Sequence, residues 1–169
     1  MPLARRRPGR APVAAFALMV LLGLIARPAI AVTTCTVAAS PVNFGVYDPL
    51  LATADDTSGT ITVTCNNRPP PGNVDLVYLL RLSRGLSGTF RTREMGSGLA
   101  RLDYNLYLNA GRSLIWGDGT EFTLFLPGTM RLTGNRTISN THTVYARMPA
   151  RQDAQIGNYT DTIVVTLEF

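Results

Sequence analysis

The sequence predicts an all-β sandwich, and three observations carry that prediction. No window holds the apolar stripe of an amphipathic helix. Short segments of alternating apolar and polar residues recur instead, with Gly, Pro and Asn turn signals between them. The chain closes on Gly157-Asn158-Tyr159-Thr160-Asp161-Thr162 and an apolar tail in which Ile163, Val165, Leu167 and Phe169 share one face at the strand period of two. Thr162, Val164, Thr166 and Glu168 fall on the other face. This terminal strand runs to the last residue, so the expectation is that something other than this chain covers its open side.

The N-terminal residues 1–31 read as a signal peptide rather than as part of the fold. Arg5, Arg6, Arg7 and Arg10 precede an apolar run from Ala11 to Ala26, and Ala29-Ile30-Ala31 supplies the small-residue cleavage site. Arg27 and Pro28 interrupt the run before it reaches the ~20 residues a membrane span needs. Pro8 and Gly9 stand where a twin-arginine signal has apolar residues. Cleavage after Ala31 leaves residues 32–169, a length that suits one domain, and no repeat or linker divides it.

Cleavage also removes the positive charge. The precursor carries a formal +5, but five of its sixteen basic residues leave with the signal, and the remaining eleven face eleven acidic ones. Nucleic-acid binding is therefore not implied, and no membrane anchor survives. Two cysteines, Cys35 and Cys65, enter an oxidising compartment, where pairing is the default. Their spacing does not fit a Cys-x-x-Cys redox motif, and one histidine, His142, cannot complete a zinc site with them.

Taken in order, Thr36 to Val46 predicts extended segments around Ser40-Pro41, with a turn at Tyr47-Asp48-Pro49. Leu50 to Ser58 is small and polar. Gly59 to Cys65 alternates so that Ile61, Val63 and Cys65 share a face, which predicts a second strand and turns Cys65 inward toward Cys35. Asn66 to Asn73, with Pro69, Pro70 and Pro71, predicts a loop or edge. Val74 to Ser83 is apolar on both faces, as a mid-sheet strand would be. Arg84 to Gly98 is polar and rich in Gly and Ser. Leu102, Tyr104, Leu106 and Leu108 alternate in the next strand, and Asn109 to Arg112 predicts a turn. Leu114 to Trp116 and Phe122 to Leu126 predict two short strands about the Gly117-Asp118-Gly119 turn, the second broken by Pro127-Gly128. Thr137 to Met148 predicts the strand before the Gln152 to Gly157 connection.

Catalytic provision is thin. His142 is the one imidazole, and it lies in a Thr-rich strand with no identifiable nucleophile, so a hydrogen-bonded strand histidine is the expected role. Asp55-Asp56 and Asp118 read as turn residues rather than calcium ligands. Arg91, Arg93 and Arg101, interleaved with Glu94 and Asp103, read as a solvated mixed-charge surface. Trp116, Phe122 and Phe125 read as core before they read as a sugar platform. Asn135-Arg136-Thr137 and Asn158-Tyr159-Thr160 match the glycosylation acceptor pattern.

Six stretches in order carry a resemblance: Cys35-Thr36-Val37, Phe44-Gly45-Val46-Tyr47, Gly59 to Cys65, Leu102-Asp103-Tyr104-Asn105-Leu106-Tyr107, Trp116-Gly117-Asp118-Gly119-Thr120, and Gly157 to Thr162 with its apolar tail. Together they resemble the spore coat protein U family, the archaic branch of chaperone–usher pilus subunits. The resemblance implies an immunoglobulin-like β-sandwich that lacks its last strand. It implies assembly by donor-strand complementation with a periplasmic pilus chaperone, an outer-membrane usher and neighbouring pilus subunits as partners, and a fimbrial or cell-surface destination. The thin inventory of acid, base and nucleophile leads to the expectation of no enzymatic activity and no cofactor. Ile163, Val165, Leu167 and Phe169 would then contact the chaperone or donor strand, and a Cys35–Cys65 bridge would pin the first two strands beside the groove.

One departure from the family pattern carries an expectation of its own. Cleavage after Ala31 leaves Val32-Thr33-Thr34 ahead of Cys35, about 10 Å of extended chain and too short to fill a neighbour's groove. The expectation is a subunit that receives a strand without giving one, at a fibre tip or in a coat. The alternative is a secreted ligand- or carbohydrate-binding adhesin module that does not polymerise and uses loops such as Pro69 to Asn73 or Gly117 to Gly119.

Overall fold

The computed structural model describes residues 33–67, 72–134 and 136–169. The expected signal peptide at 1–31, the prolines 69–71 and the acceptor Asn135 lie outside the described residues.

Among the described residues, eight strands make up the regular structure: β1 (Thr33–Ala39), β2 (Asp55–Asn67), β3 (Asn73–Leu82), β4 (Arg93–Ser97), β5 (Ala100–Tyr107), β6 (Leu126–Thr133), β7 (Thr137–Met148) and β8 (Val165–Glu168). A five-stranded sheet in the order β1-β2-β7-β5-β4 packs on a three-stranded sheet in the order β6-β3-β8. The strand pairings are antiparallel. This is an immunoglobulin-like sandwich in which, among the described residues, β8 pairs with β3 alone.

Period-two alternation places the core where the sequence predicts it. Ile61, Val63 and Cys65 of β2, Leu102, Tyr104 and Leu106 of β5 and Val144, Ala146 and Met148 of β7 face Tyr78, Leu80 and Leu82 of β3. β3 is the central strand of its sheet, as expected, but its outer face is not buried, and Val77 there is 62% exposed. Cys35 and Cys65 sit directly opposite each other on β1 and β2 and form the disulfide across a separation of 30 residues. A loop of that length is worth about 3–4 kcal/mol in the chain-entropy account.

Four expected elements are corrected. β2 begins at Asp55 rather than Gly59, because the small polar residues 55–58 continue the ladder against Met148 to Tyr145 of β7. The polar stretch 84–98 contains a strand, β4, paired with β5. Leu114 to Trp116 makes isolated bridges rather than a strand. In the segment assigned to Phe122–Leu126, Phe122 is in a turn and Leu124 makes a single bridge to Trp116; the strand begins at Leu126 and runs through Pro127-Gly128 rather than being broken there.

Position explains that last difference. β6 is the outermost strand of its sheet, where a residue without an N–H can sit with its nitrogen turned away from the ladder. Gly128 pairs with Tyr78 of β3, and a Cβ at Gly128 would lie 2.2 Å from Cζ of that ring. The glycine is there because the tyrosine ring needs the space.

Candidate functional site

β8 is an edge strand, with β3 on one side and no strand on the other among the described residues. Val164, just ahead of it, donates its N–H to the Ser83 hydroxyl at 2.9 Å, and its carbonyl accepts from the Ser83 N–H at 3.0 Å. Backbone groups alternate in direction along a strand. Those of Val165 and Leu167 therefore point away from β3, along the open edge, while their side chains point inward.

Behind that edge lies a cavity of about 390 Å³. Its walls come from both sheets: Ile61, Leu106 and Val144 from the larger, Leu82 and Val165 from the smaller, and Val42, Phe44 and Ile163 from the flanking segments. Among the four positions expected to contact a partner strand, Ile163 and Val165 line the cavity, and Leu167 is half-buried against the core. Phe169 lies one residue beyond β8 and is 57% exposed.

Asp161 is the one formally charged residue lining the cavity among those described. It accepts hydrogen bonds from the Tyr104 hydroxyl at 2.7 Å and from the N–H groups of Leu86 at 2.9 Å and Thr162 at 2.6 Å. Burial, reinforced by this hydrogen bond to a carboxylate, pushes the Tyr104 hydroxyl well above the usual tyrosine range, so it stays a donor. A two-sided site with an apolar interior, open backbone groups and one anchored carboxylate is suited to receiving an extended peptide rather than to moving protons.

The chain matches the family model of the Spore Coat Protein U domain over residues 22–166. It belongs to that family. Among solved structures, the sandwich is similar to the CsuC–CsuE chaperone–tip adhesion subunit pre-assembly complex from archaic chaperone-usher Csu pili of Acinetobacter baumannii. The likeness has a TM-score of 0.53 at 20% sequence identity and covers 82% of this chain and 40% of that one, so this chain spans less than half of its length. It is a likeness of fold. A search of curated proteins found no match.

The other residues singled out in this Spore Coat Protein U domain have structural places. His142 is half-buried on β7 and shares a hydrogen bond of 2.7 Å with the Tyr78 hydroxyl of β3, which also accepts from the Asn140 amide at 3.2 Å. Burial lowers its pKa. Asp56 takes Arg147 bidentately at 2.7 and 2.8 Å and Arg112 at 3.2 Å, and these guanidinium contacts, Arg147 first, hold its carboxyl below the usual range. Asp118 bonds Thr120 of its own turn. The aromatics do not form a platform: Trp116 is fully buried, Phe122 is fully exposed, and Phe125 lies under the Arg81 guanidinium at 4.4 Å.

Arg93 corrects the surface reading of that cluster, for it is fully buried. Its guanidinium donates to the Ser83 carbonyl at 2.9 and 3.1 Å, to the Trp116 carbonyl at 2.7 Å and to Asn105 Oδ1 at 2.7 Å, and it lies over the Phe90 ring. Burial lowers its pKa to about 10, which leaves it charged at neutral pH. Composition hid this residue because its carbonyl acceptors leave no trace in sequence. The signal that could have found it is position: Arg93 pairs with Tyr104, a residue of the strongly alternating fifth strand.

Proposed function

We propose that this chain is a structural subunit of a chaperone–usher surface fibre or coat, and that its working chemistry is the acceptance of a β-strand from a partner protein. The observation that carries the reading is the open outer edge of β8 standing over an apolar cavity of about 390 Å³. An unpaired edge beside unfilled core is costly in isolation, because backbone groups and apolar side chains both lack partners. A strand from outside supplies both at once.

The partners this implies are a periplasmic pilus chaperone, an outer-membrane usher and neighbouring pilus subunits, reached by export through the periplasm to the cell surface. Family membership and the likeness to a chaperone–subunit complex support the same reading. Ile163, Val165, Leu167 and Phe169 are the contact positions, with the exposed Phe169 ring extending the contact beyond β8. Co-expression with a periplasmic pilus chaperone tests it: the chain should appear as a stoichiometric complex with the chaperone and as aggregate or proteolysed material without it. A soluble, monomeric, protease-resistant chain made alone would refute it.

The subunit further reads as a receiver that does not donate. With cleavage after Ala31 three residues precede Cys35, and two of them, Thr33 and Thr34, already pair with Asn67 and Asn66 of β2. Mass spectrometry of the mature N-terminus decides this, since a start well upstream of Ala31 would restore a donor segment. An adhesive module is the second reading, favoured by Phe122, which stands fully exposed at a turn where it and Glu121 both hold positive φ. Binding on a glycan array, lost on Phe122→Ala, would support it.

A further inference from the structure

β8 pairs with β3 over four residues, Val165 to Glu168 against Leu82 to Leu79. A slip of one residue would turn every side chain to the other face, and the inward set Val165 and Leu167 opposes it. A slip of two residues leaves the faces unchanged, because the pleat repeats every two. Apolar residues stand at Ile163, Val165, Leu167 and Phe169 alike. The apolar pattern therefore does not distinguish the observed alignment from one displaced by two residues in either direction.

Most of the polar bonds to this segment do not distinguish it either, because they use its backbone. Thr160 exchanges two backbone bonds with Gly96 of β4, at 2.9 and 3.1 Å, and Val164 meets Ser83 through its N–H and carbonyl. Among the described residues, two side chains of 160–169 bond to the rest of the chain, Glu168 and Asp161. Glu168 pairs with Arg81 at 2.9 Å with half of its side chain exposed, and such surface pairs contribute little. Asp161 stands where the chain leaves Gly96 of the larger sheet and turns into the smaller one. Its Oδ2 accepts from the hydroxyl of Tyr104, buried on β5, and its Oδ1 from the Leu86 N–H in the turn after β3. Gly85 opens that turn with a φ of 73°, and a Cβ there would lie 2.9 Å from Asp161 Cγ, so the turn is shaped to admit the carboxylate.

We infer that Asp161 is the register key of β8, the positioning residue that selects one among alignments the apolar pattern leaves equivalent. A slip of two residues in one direction puts Ile163 in its place and leaves the Tyr104 hydroxyl and the Leu86 N–H without an acceptor. A slip in the other direction carries the carboxylate to the place of Ile163, away from both donors and into the apolar lining. A single buried polar residue fixes the alignment of coiled coils by the same logic. The inference rests on the strand-acceptor reading for its consequence: a strand joining β8 aligns on the outward backbone groups of Val165 and Leu167, so the residue that sets β8 also sets its partner.

Cysteine pairing in the full chain, exported to the periplasm, reads the register directly. Residues directly opposite on neighbouring strands lie about 4.5–5.5 Å apart, within disulfide reach, and diagonal neighbours at about 7–8 Å lie beyond it. Three double variants share Arg81→Cys, which removes the ion pair to Glu168 from all of them. Thr166→Cys reports the observed alignment, and Glu168→Cys and Val164→Cys report the two displaced ones. Total periplasmic protein is alkylated and digested, and each cross-link is quantified by mass spectrometry against that of Cys35 to Cys65, which reports folding of β1 on β2.

The Thr166→Cys cross-link should exceed each displaced one at least tenfold, and adding Asp161→Ala should bring the displaced ones within threefold of it. Asp161→Asn, which keeps an acceptor for the Leu86 N–H, and Tyr104→Phe, which removes one of the two donors, should fall between. Displaced cross-links that stay tenfold lower in Asp161→Ala, with the Cys35–Cys65 bond intact, overturn the inference. Should Asp161→Ala lose that bond, Tyr104→Phe decides, and displaced cross-links no higher than in its parent overturn it. The series is repeated with a co-expressed periplasmic pilus chaperone. Displaced pairing that the chaperone abolishes while Asp161 is present assigns the register to the partner and overturns the inference. The observed alignment held in the chain alone, with no chaperone complex formed, refutes strand acceptance and leaves Asp161 as the register key.

Discussion

Replacing Arg93 by methionine keeps the length and the apolar stem of the side chain and removes its donors. The Ser83 and Trp116 carbonyls lose the bonds they make in the interior, and Asn105 Oδ1 keeps the Leu106 N–H alone. A buried acceptor left without a partner costs about 1–3 kcal/mol. Two orphaned carbonyls and a weakened amide sum to about 4 kcal/mol, offset in part because the buried charge is gone. The expected loss is about 3 kcal/mol, a large share of the roughly 5–15 kcal/mol that holds a domain folded. Urea unfolding followed by Trp116 fluorescence measures it, since Trp116 is the single tryptophan, is fully buried, and gives its carbonyl to Arg93. At about 2 kcal/mol per molar urea the midpoint should fall by about 1.5 M. Arg93→Lys should fall by about half as much, because one ammonium cannot hold both carbonyls and the amide. A shift of less than about 0.3 M for Arg93→Met would refute the reasoning, by showing that the carbonyls find other donors.

Three further outcomes follow from the same geometry. Gly128→Ala places a methyl 2.2 Å from the Tyr78 ring and should cost about 1–3 kcal/mol by urea unfolding, most of it recovered in a Gly128→Ala, Tyr78→Leu double variant. Asp56→Asn should cost about 1 kcal/mol; because the folded pKa is depressed, this contribution is full above the ordinary value of 3.8 and is lost as pH falls below 3.8 through the lower folded value, which unfolding from pH 6 down into the acid range reads. His142 also has a depressed folded pKa, so wild-type stability should decline as pH falls below the unfolded value of 6.5, and that part of the decline should vanish in His142→Leu when melting temperature is followed from pH 8 to 5.

What the sequence revealed, and what it concealed, divides along the length scale of the interaction. Ile61, Val63 and Cys65 or Leu102, Tyr104 and Leu106 announce a strand by their spacing, since a pleated backbone imposes the period directly, and those residues are the core. The inward-facing set Ile163, Val165 and Leu167 was legible for the same reason. Strand β4 was not, because its sequence Arg-Glu-Met-Gly-Ser has no alternation and its pairing is dictated by β5 across the hairpin. Pro127-Gly128 reads locally as a break; only its place at the outside of a sheet and the Tyr78 ring above it make it strand. The segment at Val42 and Phe44 carried its alternation in plain view, yet nothing local says that after Pro41 it leaves the β2 ladder and lies against Gly59 of β2 and Tyr104 of β5.

Polar contacts link the two sheets at four points. In a sandwich, interdigitated side chains set the distance between layers, and here an apolar cavity of about 390 Å³ opens between them beside β8. Directional bonds span the layers instead. Tyr104 of β5 reaches Asp161 ahead of β8, Arg93 of β4 reaches the Ser83 carbonyl at the end of β3, Tyr78 of β3 meets His142 of β7, and Asn140 of β7 donates to the Thr129 carbonyl of β6 at 3.0 Å. Hydrogen bonds are directional and join named atoms, whereas dispersion contacts are not, so these links fix which residues of the two layers face each other. Two of them, at Asp161 and Ser83, anchor the residues that lead into β8 or pair with Val164 beside it. On the strand-acceptor reading proposed above, these bonds tie the residues around β8 to the larger sheet at fixed points, so a strand that enters beside β8 meets two layers already linked to each other.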